Sequence, residues 1–264
     1  MADNVRSFLA PCSGGLVNNQ DYLTQAAQMP GSAIRMINYE PAIEGGYRRI
    51  SGYDNSYGTV PGLEGSPVLG VSVFSALNDG IFACRKPSTG SNYFHYWDKA
   101  TSAWITPSTA GSPSMTGVSK VRFESFNWGL PKLILTDGIN PAASWDGTTY
   151  TQLNSAQAPS APKFCETFAN HLFLAGDPSE PNLLYFSAPL DETNFTPALG
   201  SGVINVGFDI VTIKSFRDQL YIFGVNNIKR LNGNNIADFV LSDVTKNLGC
   251  VSSDAVIEFN GDIL

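Results

Sequence analysis

Residues 126–138 read FNWGLPKLILTDG, which is an aromatic residue, a short polar turn and an alternating apolar run that stops at Asp-Gly. Related phrases are FANHLFLAG at 168–176, FRDQLYIFG at 216–224 and FNGDIL at 259–264, with a looser copy, FSALNDGIFAC, at 74–84. Their leading phenylalanines are 52, 42, 48 and 43 residues apart. Self-similarity at ~40–50 residues is typical of stacked supersecondary units, and of propeller blades in particular.

A second phrase lies between these copies, an aromatic-rich strand that leads into a polar turn. It reads YFHYWDKATSAW at 93–104, ASWDGTTYTQL at 143–153, LLYFSAPLDETNF at 183–195 and NIKRLNG at 227–233. The alternation of apolar residues is that of β-strands, and Asp-Gly and Asn-Gly pairs at the junctions favour tight hairpin turns. The fold is therefore predicted to be all-β, a propeller-like array of antiparallel blades of about 40–50 residues.

The first 60 residues have a different character. Polar sequence interrupted by Gly and Pro predicts an extended arm with little core, and Tyr22–Met29 is its best candidate for a short helix. The stretch IRMINYE (34–40), the turn PAIEGG (41–46) and YRRISGY (47–53) predict a β-hairpin. We therefore divide the chain into an N-terminal arm and hairpin, residues 1–60, and a repeat domain, residues 61–264.

The net charge of −7 argues against a protein that grips nucleic acid, which normally presents a basic stripe. Basic residues are adjacent only at 48–49, 85–86 and 229–230. An acidic wall would instead repel DNA and suit a channel through which DNA slides, a use that the charge permits without requiring it.

Targeting signals and cysteine usage indicate the cellular compartment of the protein. No apolar run approaches the ~18 residues of a membrane span, and the N-terminus lacks the hydrophobic stretch of a secretory signal, so we expect the protein to stay in the cytosol where it is made. Four widely spaced cysteines are predicted to be reduced and mostly buried, with one disulfide as the alternative. They are Cys12, Cys84, Cys165 and Cys250.

Residues with catalytic potential are scattered along the chain. His95 lies in an aromatic strand and His171 in a turn, and neither has a partner at the spacing of a triad or a metal site. Three acidic pairs lie in or near turns, where capping accounts for them: Asp177 with Glu180, Asp191 with Glu192, and Asp243 with Asp254. Glycine motifs that bind phosphate do not occur. We predict no enzymatic activity, no metal and no cofactor.

The dipeptides Trp97-Asp98 and Trp145-Asp146 are those of WD-repeat propellers, but the Gly-His pair of such repeats does not occur in this chain. A tryptophan that packs on the next blade and an aspartate that opens a turn explain the dipeptides in any propeller.

The N-terminal motifs follow one another in a distinctive order: GGL at 14–16, PGSA at 30–33, NYEP at 38–41 and GGYRRISGY at 45–53. A second stretch, 204–233, is followed by KNLGCVSSDAVIEFNGDIL at 246–264, in which Gly-Cys links one repeat to the next. This arrangement resembles the tail and head-completion proteins of short-tailed bacteriophages. That family includes the packaged-DNA stabilisation or tail-hub proteins and the tail-nozzle (tubular B) proteins, and the resemblance covers most of the chain.

The resemblance implies a structural virion protein, a head-tail connector that forms a ring, commonly a hexamer, with portal, adaptor and other tail proteins. Such a ring seals packaged DNA and serves as its conduit during DNA ejection, without sequence-specific binding, in a virion tail assembled in the bacterial cytoplasm. Family members are usually longer, and this chain stops inside its fifth repeat, so we expect an incomplete array. The predicted interface residues are Asn18, Asn19, Gln20, Asp21, Arg48 and Arg49.

A different class of function stays open, a propeller that binds glycans or a host surface. Its candidate platform is the set of aromatic residues Tyr93, Tyr96, Trp104 and Trp128. A binder is expected to repeat one aromatic in every blade, whereas Trp97 and Trp145 give way to Tyr185 or Phe186 and then to Ile228. This decay favours a role in the core. A propeller hydrolase is disfavoured by the scattered carboxylates.

Overall fold

The computed structural model describes residues 14–19, 21–28, 31–42, 46–52, 57–76, 80–90, 92–107, 109–110, 116–259 and 261–263. The chain divides into two compact units, Met1–Ser56 and Tyr57–Leu264. The boundary expected at residue 60 from the sequence stays a prediction.

The first unit contains the predicted helix, α1 (Tyr22–Gln28), and the predicted hairpin, formed by β1 (Tyr39–Pro41) and β2 (Tyr47–Arg49). Both are confirmed, although the strands are shorter than the predicted runs. The Tyr47 hydroxyl lies 2.7 Å from the carbonyl oxygen of Gly31 and 3.0 Å from that of Gly15. The described part of the expected arm is therefore tied to the hairpin.

The second unit consists mainly of four antiparallel blades, each a meander in chain order. Blade 1 comprises β3 (Val68–Phe74), β4 (Gly80–Arg85), β5 (Phe94–Asp98) and β6 (Ala103–Ile105). Blade 2 comprises β8 (Arg122–Phe126), β9 (Lys132–Thr136), β10 (Ala143–Trp145) and β11 (Tyr150–Gln152), and β7 (Thr109–Ala110) pairs in parallel with β11. Blade 3 comprises β12 (Phe164–Phe168), β13 (His171–Ala175), β14 (Leu183–Phe186) and β15 (Gly202–Asn205), with a 3₁₀ turn at Pro197–Leu199. Blade 4 comprises β16 (Thr212–Phe216), β17 (Gln219–Phe223), β18 (Ile228–Asn232) and β19 (Val240–Thr245), and a hairpin of β20 (Glu258–Phe259) and β21 (Asp262–Ile263) follows.

The repeat predicted from the sequence is the blade. Each of the five leading phenylalanines is the last residue of the first strand in its blade or hairpin: Phe74, Phe126, Phe168, Phe216 and Phe259. The polar turn then leads into the second strand. In blades 3 and 4 this turn has two residues with positive φ, Ala169-Asn170 and Arg217-Asp218, the geometry that matches the twist of a tight hairpin.

The first strands of neighbouring blades lie beside one another, β3 by β8, β8 by β12 and β12 by β16. They are the innermost strands of a radial array, and the apolar core lies between the blades. Phe94 and Trp145 belong to the cluster between blades 1 and 2, whereas Phe173 and Ile222 belong to the one between blades 3 and 4. The protein is an all-β, propeller-like array.

Trp145 packs on Phe94 and Tyr96 of the preceding blade. The predicted contact with the next blade is therefore wrong. The aspartates of both Trp-Asp pairs open turns as predicted. Asp98 accepts a hydrogen bond from the amide of Ala100 at 3.1 Å, and Asp146 accepts one from the amide of Thr148 at 2.8 Å.

The Gly-Cys link after blade 4 is a place where only glycine fits. A Cβ atom at Gly249 would overlap the carbonyl oxygen of Gly224, and the amide of Cys250 donates to that oxygen at 2.8 Å. Cys84, Cys165 and Cys250 are free and buried, and Cys12 lies outside the described residues. Among the helices that the structure describes, none is long and apolar enough to cross a membrane.

Candidate functional site

The N-terminal unit presents an exposed apolar surface. Six large apolar side chains in its described residues are between 48 and 82% exposed, a set that we call the N-terminal apolar surface: Leu16, Leu23, Ile34, Ile37, Tyr39 and Ile50. Among the side chains of this unit whose burial the structure describes, no apolar one is buried. Exposed apolar side chains favour contact with a partner, because their exposure to water costs free energy, and we therefore take this set as the candidate interaction site.

A concave site adjoins this surface. A cavity of about 480 Å³ is lined by Arg35, Met36, Ile37, Tyr39 and Tyr47, together with Ala33. The side chains that line it are apolar except for the guanidinium of Arg35 and the phenol hydroxyls of Tyr39 and Tyr47. This shape suits an apolar side chain of a partner polypeptide.

The predicted interface residues lie in the same unit. Asn18, Asn19 and Asp21 are exposed, and Asp21 accepts a hydrogen bond from the amide of Leu23 at 3.1 Å at the start of α1. Gln20 lies outside the described residues. Arg48 and Arg49 are both exposed.

Arg48 is already engaged within the hairpin. Its Nε donates to Glu40 across the β1–β2 pair at 2.6 Å, and the two side chains are 64% and 43% exposed. The assignment of these polar residues to an interface stays a prediction. Sequence reasoning missed the apolar residues around them, although Ile34, Ile37 and Tyr39 were visible in the predicted strand.

The propeller axis carries a second constellation that sequence reasoning missed. Two residues before the repeat phenylalanine, the first strands of the four blades carry Ser72, Glu124, Glu166 and Lys214. All four line a cavity of about 430 Å³. A signal was present in the phrases RFESF (122–126), FCETF (164–168) and TIKSF (212–216), where a charged residue recurs at the same place in an apolar strand.

These charges join one blade to the next. Glu124 accepts a hydrogen bond from the Thr167 hydroxyl of blade 3 at 2.8 Å. Glu166 in turn accepts from the Lys214 ammonium at 2.9 Å and from the Ser215 amide of blade 4 at 2.8 Å. The axis is therefore held by directional interblade bonds as well as by the apolar clusters.

Burial and the neighbouring charge of Glu166 raise the pKa of Glu124 from 4.5 to about 7. Burial also raises the pKa of Glu166, against the effect of the Lys214 ammonium. Burial opposes the charge on Lys214, but the two carboxylates outweigh it and raise the pKa of that ammonium. Glu124 therefore changes its charge close to neutral pH.

This arrangement predicts that the contribution of Glu124 to thermal stability falls as the pH rises from about 4.5 to about 7, whereas the lowered pKa of the buried His95 acts in the opposite direction. The folded protein keeps the Glu124 proton through that interval while the unfolded chain has released it, so the folded state binds more protons. The midpoint of Glu124→Gln relative to that of the wild type is therefore expected to rise with pH across this interval, whereas the midpoint of the exposed control Glu64→Gln is expected to follow the wild type. Calorimetric midpoints at pH 5, 6, 7 and 8 measure the difference, and equal slopes in Glu124→Gln and the wild type would contradict the prediction.

A charged bridge closes off part of the axis. The Asp254 carboxylate lies 2.7 Å from the Lys120 ammonium and 3.3 Å from the Arg122 guanidinium, which also stacks over the ring of Phe164. These groups stand where the 430 Å³ cavity meets a second cavity of about 560 Å³. The ion pairs therefore occupy part of the space at the axis.

The carboxylates that the sequence offered as pairs are engaged structurally. Asp177 accepts hydrogen bonds from the Ala161 and Ser179 amides, both at 2.9 Å, and Glu192 pairs with Lys132 at 2.5 Å. Asp243 pairs with Lys229 and Lys246, apart from the Asp254 bridge. No group of three metal-ligating side chains occurs in the part of the chain that the structure describes.

The two histidines are buried. The Nδ1 atom of His95 lies 2.8 Å from the Thr106 hydroxyl, and burial together with Arg85 lowers the pKa of His95 to about 4. The Nδ1 atom of His171 lies 2.6 Å from the carbonyl oxygen of Ser187, which requires that nitrogen to donate.

The aromatic residues suggested as a glycan platform do not share one surface. Tyr93 is buried, Tyr96 packs on Trp145, and Trp128 packs on Phe126 with ring centroids 4.8 Å apart. The role in the core that the aromatic pattern favoured is therefore confirmed for Tyr93, and the four residues do not form the common exposed platform of the alternative. Trp104 belongs to a different, partly exposed cluster with Trp97 and Tyr57. The ring centroid of Trp97 lies 5.6 Å from that of Trp104 and 5.2 Å from that of Tyr57.

No family model matches the sequence, and no curated protein matches it. Among solved structures, the chain is similar to a chain of the mitotic checkpoint complex at 13% identity and a TM-score of 0.40, covering 81% of this chain and 74% of that one. It is also similar to Hsv2 of Kluyveromyces lactis at 10% identity and a TM-score of 0.33, covering 73% of this chain and 66% of that one. Likenesses of this size carry no argument about function.

Proposed function

We propose that this propeller module is an assembly subunit that binds its partners through the N-terminal apolar surface. More specifically, we propose that it is a structural protein of the tail of a short-tailed phage, joining a ring with copies of itself and with portal or adaptor proteins. The observation that carries the proposal is the exposure of six large apolar side chains in this unit, where none of the apolar side chains whose burial the structure describes is buried.

Energetics support an assembled state for that unit. Among the side chains that the structure describes in this unit, apolar groups are exposed rather than buried, so covering them in a partner would stabilise the unit. Because most of these side chains are about half exposed, burial of two or three of them would contribute about 1–1.5 kcal/mol for each. The sequence motif GGYRRISGY, on which the phage resemblance rests, supplies strand β2 of the same unit.

The test is the mass of the purified protein, alone and mixed with portal and adaptor proteins, by native mass spectrometry and light scattering. We expect a closed ring or a stable complex for the wild type. Ile37→Asp combined with Tyr39→Asp is expected to leave a folded monomer, because both side chains are more than half exposed and do not hold the propeller together. Leu130→Asp, at a similarly exposed apolar position of the second unit, is the matched control and should assemble like the wild type.

A wild-type protein that stays monomeric with every partner would refute the assembly function. So would a double variant that assembles normally, because the N-terminal apolar surface would then be irrelevant. Deletion of residues 1–30 is expected to leave a folded monomer too, and an unfolded product would count against the proposal.

A binding module for surface glycans is the second candidate, and the propeller fold by itself suits this broader class better than it suits any one assembly. The observation that favours it is the partly exposed cluster of Tyr57, Trp97 and Trp104, since aromatic faces stack on sugar rings. Binding of the purified protein to a glycan array tests this second function. Binding that is lost in Trp97→Ala, with assembly absent, would favour this function over the first.

A further inference from the structure

A cavity of about 420 Å³ opens between blades 3 and 4 on their outer strands, and we call it the interblade pocket. Its walls include Phe186 and Ile204 of blade 3 and Leu241 of blade 4, with Phe239 just before β19. Val203 and Ile236, each about half exposed, stand among its lining residues and leave it open to solvent. None of the described lining residues is charged.

The pocket contains a buried hydroxyl that has no partner. Ser201 lines the pocket, is 1% exposed, and its Oγ forms no hydrogen bond in the described structure. Buried polar groups in folded proteins are nearly always hydrogen-bonded, because leaving one unsatisfied is costly. A ligand with one polar atom at the level of Ser201 would remove that cost.

A third ring supports the aromatic walls of the pocket. The ring of His171 packs edge-to-face against Phe186, at 5.4 Å between centroids, and against Phe239, at 5.6 Å. Phe186 and Phe239 also meet at 5.4 Å and 90°. Such interlocked rings fix their neighbours, so the pocket is formed before any ligand arrives.

Glycine at position 202 keeps the floor of the pocket open. A Cβ atom there would lie 2.7 Å from Cζ of Phe186 and 3.5 Å from Cδ1 of Ile236, which are both pocket residues. A side chain at 202 would therefore occupy the space that a ligand needs.

The strand beside the pocket favours a polypeptide as the occupant. Among the described residues β15 pairs only with β14, so its outer edge presents free backbone donors and acceptors. Gly202, Val203 and Ile204 belong both to that edge and to the lining of the pocket. An extended segment added to β15 would pair with the edge, and every second side chain would face the pocket.

We propose that the interblade pocket binds the aromatic side chain of a tyrosine, presented by an extended segment of a partner polypeptide that pairs with the edge of β15. The tyrosine ring lies in the cavity against the wall formed by Phe186 and Phe239, and its phenol hydroxyl satisfies Ser201. The site is independent of the N-terminal apolar surface.

The experiment uses the full chain and two capped pentapeptides, TVYVT and TVFVT, titrated by calorimetry and by NMR. We expect TVYVT to bind wild-type protein five- to tenfold more tightly than TVFVT, as one hydrogen bond to a buried partner requires. In Ser201→Ala the two peptides are expected to bind equally. Equal affinities on the wild type, or no binding at all, would overturn the proposal.

Two further arms separate the alternatives. If p-cresol binds as tightly as TVYVT, the occupant is a small molecule and the polypeptide assignment is wrong. Val203→Trp, at the half-exposed mouth, should abolish binding, whereas Val251→Trp at a highly exposed position elsewhere should not. Retained binding in Val203→Trp would place the peptide somewhere else and overturn the proposal.

Ser201→Ala also has a signature without ligand. Because it removes an unsatisfied buried hydroxyl, we expect the thermal midpoint of the free protein to rise by about 2 °C, while the control Ser155→Ala leaves it unchanged. A lower midpoint would mean that Ser201 has a structural partner, and it would overturn the proposal.

Discussion

Replacement of Trp145 by alanine is expected to lower the free energy of unfolding by about 4 kcal/mol. Trp145 is fully buried at the end of β10, and its ring centroid lies 5.4 Å from that of Phe94 and 5.2 Å from that of Tyr96. Alanine would leave a cavity between blades 1 and 2, and neighbouring side chains anchored in two sheets can close it only in part. Urea denaturation followed by circular dichroism measures the loss.

Two other variants separate packing from hydrogen bonding. The indole N–H of Trp145 has no partner in the described structure, so Trp145→Phe removes an unsatisfied donor along with part of the ring and is expected to cost about 1 kcal/mol. Trp128→Ala, which removes a half-buried ring from Phe126, is expected to cost about 2 kcal/mol. A Trp145→Phe variant as unstable as Trp145→Ala would show that the indole N–H has a partner.

Replacement of Lys214 by methionine is expected to lower the free energy of unfolding by about 3 kcal/mol at pH 8. The Glu166 side chain is 8% exposed, and the Lys214 ammonium at 2.9 Å is its cationic partner. Methionine keeps most of the apolar stem but leaves the carboxylate buried and uncompensated, beside the carboxyl group of Glu124.

The cost should depend on pH with a definite sign. Burial already raises the pKa of Glu166 above 4.5, and loss of the ammonium raises it further. The penalty of Lys214→Met therefore grows as the pH rises above 4.5, and is smaller at pH 5 than at pH 8. Denaturation at these two pH values measures it.

Removal of both charges of the Glu166–Lys214 ion pair provides the matched control. Glu166→Gln combined with Lys214→Met is expected to recover most of the loss, because no buried charge is left unpaired. Lys246→Met breaks an exposed pair with Asp243 at 3.1 Å and should cost less than about 1 kcal/mol. If Lys214→Met costs no more than Lys246→Met, the axial pair does not hold the blades together.

The same contrast between buried and exposed positions separates the two proposed binding surfaces. The N-terminal apolar surface consists of side chains that are already in water, so charges placed there should change assembly and spare the propeller. The interblade pocket lies within the packing of blades 3 and 4. The effect of its variants is therefore measured both as a change in peptide affinity and as a change in the thermal midpoint of unfolding. Failure of one proposal leaves the other standing.

The sequence by itself determined the repeat, the position of the first hairpin in each blade, and the short N-terminal helix and hairpin. These features follow from local rules. An alternating run forms a strand, and the residues of a tight turn must tolerate positive φ, as Gly138 does at 76° and Asn170 does at 65°. The five phenylalanines mark the same strand end because each blade repeats the same local structure.

Only the tertiary structure decided what each face of a blade contacts. Both faces of a propeller blade are covered by neighbours, so alternation cannot tell a residue at the axis, such as Glu166, from one in the apolar core. It also could not show that Trp145 packs backwards on blade 1, or that Arg122 meets Asp254 across 132 residues of sequence. Such contacts depend on how successive blades are rotated about the common axis, and that rotation is set by the packing of whole sheets rather than by any local run of residues.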